Sequence, residues 1–273
     1  MSSSFDHIGV TYIGGPTVRL DVVGLRLLTD PTFDAGGVYE GATSTLTKLR
    51  GPALDVASVG PVDAVLLSHD HHFDNLDRAG RALIASVHTV LTTPLGASRL
   101  GGGAIGLEPW ESTDLASPDG GTLRITSTPG RHGPVGGDRG PVTGFVLTQG
   151  DTTPAVYVSG DTVWFDGVAD VVKRYDIGVA VLFMGAARVA ATGAAAITMT
   201  AEDGVQFARA CRGATIVPAH FEDWAHFSEG RDTIQRTFAA AGLAQRLRWP
   251  VRGGTITVNA NHQTTGVSER YFK

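Results

Sequence analysis

The sequence has little of three features that mark common protein classes: cysteine, clustered positive charge and long apolar runs. Its 273 residues include one cysteine, Cys211, so an internal disulfide is excluded and a reducing compartment is expected. Lysine and arginine number 22 against 27 acidic residues, which gives a net charge of -5. No dense basic block occurs, so neither nucleic acid nor an anionic membrane is expected as a partner.

Signals for export or membrane insertion are also missing. Residues 1–7 contain no basic region followed by an apolar stretch, so no signal peptide is expected. No apolar run approaches the roughly 18 residues that span a bilayer. We therefore expect a cytoplasmic protein whose partner is a small-molecule substrate, and a homo-oligomer is left open.

The order of patterns along the chain predicts an α/β protein of one domain over residues 1–273. Short alternating strands come first, and strands alternating with helices follow, as in sheets covered by helices. A glycine-rich loop is expected over 34–41, with a short helical or irregular segment from there to Arg50. Thr200 with the acidic residues behind it predicts a helix that runs to about Arg212.

The most informative segment follows the apolar strand 64–67. Three of the nine histidines occur there with three interleaved carboxylates: His69, Asp70, His71, His72, Asp74 and Asp77. Imidazole and carboxylate are the ligands that zinc, manganese and iron prefer. The segment therefore predicts a metal site at one rim of a sheet.

Three more apolar strands are followed by residues of the same chemistry, namely His132, Asp161 and His220. A single histidine at a strand end is more often structural than a metal ligand. Four such strand ends in one chain favour a shared site, since unpaired buried polar groups are costly.

These motifs together resemble the metallo-β-lactamase-fold hydrolases, particularly the branch of ascorbate-phosphate lactonase-like enzymes. Members carry a His-x-His-x-Asp-His run after a buried strand, a later histidine, a Gly-Asp bridging carboxylate and a late histidine. The matching segments here are 69–77, 131–134, 159–162 and 217–220, with further likeness at 14–17 and 28–31. The resemblance implies a four-layer αββα (α+β) sandwich of two mixed sheets flanked by helices.

The central motif departs from the family spacing, and two registers compete. Counted forward, His69 and His71 take the first histidine positions, but Phe73 then stands where aspartate belongs. Counted backward, Asp70, His72 and Asp74 project to one side of an extended chain, and Asn75 takes a usual histidine position. We prefer the backward register, although a one-residue bulge could instead bring in His69.

The resemblance then implies one or two divalent ions, with zinc expected and manganese or iron as alternatives. The first would be held by His72, His132 and Asp70 or His69. The second, more weakly bound, would be held by Asp74, Asp161 and His220 with water, because the Asn75 amide is a poorer donor than imidazole.

Other residues are candidates for contact with substrate. Trp224 and His226 closely follow His220, Trp164 closely follows Asp161, and Arg131 could bind an anionic group. Packing is an equally good interpretation of Trp224, His226 and Trp164. An ion pair with a nearby carboxylate is an equally good interpretation of Arg131. Asp30 could hydrogen-bond a ligand histidine, although an ordinary turn aspartate before proline is slightly favoured.

The expected activity is metal-dependent hydrolysis of a small carbonyl or phosphoryl substrate, with a lactone, ester or amide favoured. A metal-activated water would attack, and Asp74 would orient it and carry its proton to the leaving group. Alternatives are a phosphodiesterase of the same fold, for which basic surface is missing, and a non-hydrolytic metal-binding or diiron protein.

Overall fold

The computed structural model describes residues 7–41, 45–118, 120–150 and 154–260. The strands in these ranges are β1 (His7–Gly14), β2 (Thr17–Val22), β3 (Leu25–Thr29), β4 (Gly37–Glu40), β5 (Thr45–Lys48), β6 (Ala64–Leu66), β7 (Thr89–Thr92), β8 (Ala104–Gly106), β9 (Ser112–Ala116), β10 (Thr122–Pro129), β11 (Thr143–Thr148), β12 (Ala155–Val158), β13 (Ile177–Phe183), β14 (Thr215–Ala219) and β15 (Thr255–Asn259). The α-helices are α1 (Val56–Val59), α2 (Arg78–Ile84), α3 (Pro94–Leu100), α4 (Asp166–Arg174), α5 (Ala201–Ala210) and α6 (Arg231–Ala240).

Two mixed sheets carry the fold. The first has seven strands in the order β15-β1-β2-β3-β6-β7-β8, antiparallel from β15 to β3 and parallel from β3 to β8. The second has six strands in the order β14-β13-β12-β11-β10-β9. Its β12, β13 and β14 are parallel, and the remaining pairs are antiparallel. Parallel neighbours place several strand ends at one edge of each sheet.

Helices cover both outer faces. Leu28, Val65 and Val90 of the first sheet pack with Val59 of α1 and Ile84 of α2. The larger core contains residues of both sheets and the buried sides of α4, α5 and α6. All seven residues of β13 are buried, and each large apolar side chain buried in this way contributes roughly 1.5–3 kcal/mol. The predicted α+β sandwich of two mixed sheets flanked by helices is confirmed.

Local sequence accounts for the helix starts beside the site. Asp77 accepts a hydrogen bond from the backbone of Gly80 and begins α2. Thr200 and Asp203 cap each other's backbone N–H groups and begin α5, as predicted, and the helix ends at Ala210.

No helix within the described ranges combines the length and apolarity needed to cross a bilayer.

The glycine-rich loop expected over 34–41 contains β4, and the segment expected to be helical or irregular from there to Arg50 contains β5; the two strands form a small antiparallel hairpin. β4 and β5 pair with Tyr39 opposite Leu46. Both side chains are buried against Trp224, whose ring centroid lies 5.4 Å from that of Tyr39. The hairpin thus lies outside the two main sheets and packs through aromatic contacts.

Candidate metal centre

Four strand ends deliver buried polar side chains to one place. The loop after β6 carries His69 and Asp74, and His132, Asp161 and His220 follow β10, β12 and β14. Each of the five is at most 5% exposed. Unpaired buried groups of this kind are costly, so their convergence calls for a chemical explanation.

The backbone at two of these ends is specialised. Gly160 has φ 60°, and a Cβ there would lie 2.5 Å from the carbonyl oxygen of Thr143. Glycine therefore lets the chain turn so that Asp161 faces the site. His220 itself has φ 52°, a left-handed conformation that glycine, which has no Cβ, adopts more readily. Strain held at such a residue is common at functional sites.

The first donor group consists of three imidazoles. Nε2 of His69 lies 2.9 Å from Nδ1 of His72, and Nε2 of His132 lies 3.2 Å from the same atom. Burial lowers the pKa of His69 well below its usual value and that of His72 to about 3. Neutral rings are therefore favoured, and neutral imidazole is the form that binds a metal.

Hydrogen bonds at the far ring nitrogens set the tautomers. Nδ1 of His132 donates to the carbonyl oxygen of Ile197 at 2.8 Å, so Nε2 carries the lone pair. Nδ1 of His69 donates at 2.9 Å to Oγ of Ser68, which donates in turn to Oδ1 of Asp30 at 2.6 Å. Asp30 thus supports His69 through Ser68 rather than directly. Both histidines point a lone pair at the same spot.

The second donor group consists of Asp74, Asp161 and His220, which offer ligand atoms within 4.8 Å of one another. Nε2 of His220 lies 3.4 Å from Oδ1 of Asp161 and 3.5 Å from Oδ2 of Asp74. Burial acts to lower the pKa of His220, but Asp161 and Asp74 together raise it to about 10. In the absence of a cation, a proton on His220 balances part of this buried negative charge.

Asp161 lies between the two groups. Its Oδ1 faces His220, and its Oδ2 lies 3.8 Å from Nε2 of His132. Neither oxygen of Asp161 and neither ring nitrogen of His220 has a hydrogen-bond partner among the described residues. Buried polar atoms without partners are rare in proteins. A divalent cation would satisfy them, so the residues present fit one or two metal ions.

Asp70 is not part of either group, and the preferred backward register is wrong on this point. Both of its carboxylate oxygens accept hydrogen bonds from Arg99, with Nε 2.9 Å and 3.1 Å away. The prediction assumed extended chain from 70 to 74. Instead, the backbone N–H groups of Asn75 and Leu76 bond to the carbonyl of His72, so the chain turns. The buried Asp70 carboxylate therefore faces Arg99 instead of the donor groups, and His69 takes a place in the first group.

Asn75 is buried beside the site but is oriented towards its supporting network. Its Nδ2 lies 3.4 Å from both Oδ1 of Asp30 and Oγ of Ser68, and its Oδ1 has no partner among the described residues. Its amide thus contacts the groups that hold His69.

A small cleft opens onto both donor groups. Among the predicted substrate contacts, the cleft is lined by His226 alone. The other lining residues, besides the metal candidates, are Leu46, Arg139, Val189 and Ile197, which no sequence motif singled out.

The structure places the other three predicted substrate contacts elsewhere. The Arg131 guanidinium stacks over Phe165, 4.8 Å from the ring centroid. Trp164 packs edge-on against Phe207, and Trp224 is only 2% exposed within the hairpin contact. Packing was the alternative interpretation for the two tryptophans. For Arg131 the alternative was an ion pair, and its contact with Phe165 is neither of the two interpretations.

Known structures share this architecture. The crystal structure of isothiocyanate hydrolase from Delia radicum gut bacteria superposes with a TM-score of 0.77 at 24% identity, covering 92% of this chain and 99% of that one. The structure of a possible metal-dependent hydrolase from Veillonella parvula DSM 2008 gives 0.75 at 21% identity, covering 91% and 98%. These similarities support the fold.

Sequence comparison agrees with the structural one. The UPF0173 protein YddR of Bacillus subtilis (strain 168) is 24% identical over 263 residues, which cover 92% of this chain and 100% of that protein. The model of the beta-lactamase superfamily domain matches residues 25–221, a span that includes all residues of the two donor groups. With this match over more than half of its length, the chain belongs to the beta-lactamase superfamily.

Proposed function

We propose that this protein is a metal-dependent hydrolase that adds water to an electrophilic carbon of a small molecule. Lactones, esters and amides are the favoured substrates, and the ascorbate-phosphate lactonase-like branch is the proposed relationship within the superfamily. The observation that carries the proposal is the pair of buried donor groups joined by Asp161, whose carboxylate oxygens lack hydrogen-bond partners in the described structure.

The donor sets suit one or two divalent ions. His69, His72 and His132 would hold the first, and Asp74 and His220 the second, with Asp161 shared between them. Nitrogen-rich and mixed carboxylate sets of this kind accept zinc foremost, with manganese or iron as alternatives. When bound, such an ion lowers the pKa of water and polarises a substrate oxygen.

Asp74 is the proposed proton carrier. Burial acts to raise its pKa, but the neighbouring imidazoles of His220 and His226 hold the pKa well below its ordinary value. Its carboxylate is therefore ionised at neutral pH and lines the cleft. From this position it can accept a hydrogen bond from the attacking water, orient it, and pass the proton to the leaving group.

The cleft favours a small and partly apolar substrate. Leu46, Val189 and Ile197 contribute apolar surface, and Arg139 lines the same cleft with a guanidinium. The eight residues that line the cleft enclose little space, so we expect a small molecule rather than a polymer. The net charge of -5 also argues against a nucleic acid substrate.

Isothiocyanates form a second class to be tested, because one superposable structure is that of an isothiocyanate hydrolase. The central carbon of an isothiocyanate is an electrophile open to attack by water, as is a carbonyl carbon. The same orienting role of Asp74 would serve both, so substrate shape decides between the classes.

The test combines metal analysis with a substrate panel. Purified protein would be assayed for zinc, manganese and iron, and then for hydrolysis of lactones, esters, amides, isothiocyanates, β-lactams and phosphodiesters. His132→Ala and Asp161→Asn should lose both bound metal and turnover. His88→Ala, which removes an exposed imidazole, should lose neither.

Three contrary results would each point to a different conclusion. Full metal content and full turnover in His132→Ala would refute the assignment. Iron in the protein with no hydrolysis of any panel member would favour a diiron protein instead. Turnover of phosphodiesters alone would favour the phosphodiesterase alternative.

A further inference from the structure

His226 reaches the second donor group from outside the predicted ligand set. Its Nε2 lies 3.0 Å from Oδ2 of Asp74, and Nε2 of His220 lies 3.5 Å from the same oxygen. Two imidazoles therefore meet at one carboxylate oxygen. The side chain of His226 is 10% exposed, so its position is largely enclosed by protein.

Neighbouring residues hold the His226 ring in place. Its ring centroid lies 4.6 Å from that of Phe227, and its carbonyl oxygen accepts a hydrogen bond from the backbone of Arg188 at 3.0 Å. Its Nδ1 has no hydrogen-bond partner in the described ranges. The ring is held by these contacts, and its Nε2 faces Asp74.

Asn75 stands where the resemblance implies a histidine ligand. Its amide Nδ2 lies 3.4 Å from both Oδ1 of Asp30 and Oγ of Ser68. Without a contribution from position 75, the second group has one imidazole and two carboxylates. His226 offers a second imidazole from a different segment of the chain.

We infer that His226 is a ligand of the second metal position, in place of the residue at position 75. This inference rests on the metal centre of the proposed function. Asp74, Asp161, His220 and His226 would then supply two imidazoles and two carboxylates, a set suited to a divalent transition metal. The two carboxylates balance the charge of the ion.

The competing role for His226 is that of a hydrogen-bond donor that only positions Asp74. Two substitutions separate the roles. His226→Gln keeps an amide N–H that can donate to Asp74 but supplies a much weaker metal donor, whereas His226→Ala removes both functions. His88→Ala is the matched control, because it removes an exposed imidazole.

Metal affinity is measured by titrating the apo protein with manganese and with zinc. Loss of a group that only positions a ligand lowers metal affinity roughly 10- to 100-fold. We expect both His226 variants to weaken the second ion by more than this and to leave the first ion unchanged. A loss below about 100-fold in His226→Gln would overturn the inference.

Pulsed electron paramagnetic resonance provides a readout independent of activity. With ¹⁵N-histidine-labelled protein, second-site manganese should couple to two imidazole nitrogens in the unmodified protein and to one in either variant. Coupling to a single nitrogen in the unmodified protein, or binding of only one ion, would contradict the inference while leaving the proposed function intact. Absence of any bound divalent ion would contradict the proposed function itself.

Discussion

The buried ion pair at the root of the β4–β5 hairpin gives a quantitative prediction. Nζ of Lys48 lies 2.9 Å from Oδ2 of Asp77, and the side chains are 2% and 0% exposed. Asp77 also accepts backbone N–H bonds from Phe33, Asp34 and Gly80 at 2.7–2.9 Å. One carboxylate thus ties together the hairpin, the loop after β3 and the start of α2.

Lys48→Met keeps much of the apolar stem and removes the ammonium group. Breaking a buried ion pair costs about 3–5 kcal/mol, because the remaining charge loses its partner without regaining water. Asp77 keeps three backbone donors, so we expect a loss of about 3 kcal/mol, at the lower end of that range. Arg124→Met is the control: its pair with Asp114 is 59% and 45% exposed, and such pairs contribute less than about 1 kcal/mol.

The free energy of unfolding would be measured by urea titration, followed by far-ultraviolet circular dichroism. Excess chelator is present throughout, since a bound metal would add its own stabilisation. A Lys48→Met variant within about 1 kcal/mol of the Arg124→Met control would refute the reasoning. The ion pair would then contribute little to the attachment of the hairpin.

Three further predictions concern the site and its frame. Ser68→Ala removes the hydroxyl that supports His69, so metal affinity should fall roughly 10- to 100-fold in calorimetric titration. Unchanged affinity would show that another group sets the tautomer of His69. Asp70→Asn should keep the full metal stoichiometry in elemental analysis, because its carboxylate lies outside the donor groups, and loss of an ion would restore the register rejected above. Gly178→Ala places a Cβ 1.8 Å from the carbonyl oxygen of Ala260, so overpacking should cost roughly 1–3 kcal/mol in thermal unfolding; an unchanged midpoint would mean that the backbone relaxes freely there.

The strand ends before His69, Asp161 and His220 are predictable because each follows a short, strongly apolar run. A short run of this kind between turn residues is typical of a buried strand, and the polar residues after it lie at a sheet edge. The start of α5 is predicted for a similar reason, since Thr200 and Asp203 form a local capping pair. Both predictions depend on neighbours in sequence, which one chain displays directly.

The failures depend on contacts between distant residues. The side to which Asp70 points follows from a turn that bonds to the His72 carbonyl and from Arg99 on α3. An alternation rule for extended chain cannot anticipate that turn. The β4–β5 hairpin packs against Trp224, which lies far along the chain. Because that contact is not local, the glycine-rich sequence of the hairpin gives little indication that β4 and β5 pair with each other.

Part of the cleft wall belongs to the β4–β5 hairpin, and the proposed metal ligands belong to other elements of the fold. Leu46 faces the cleft from this hairpin, whereas the proposed ligands follow strands of the two large sheets. Evolution can therefore change which molecules enter by altering the hairpin, without moving a metal ligand. The buried Lys48–Asp77 pair sets the limit on that freedom: the mouth of the cleft can vary, while its root must stay anchored.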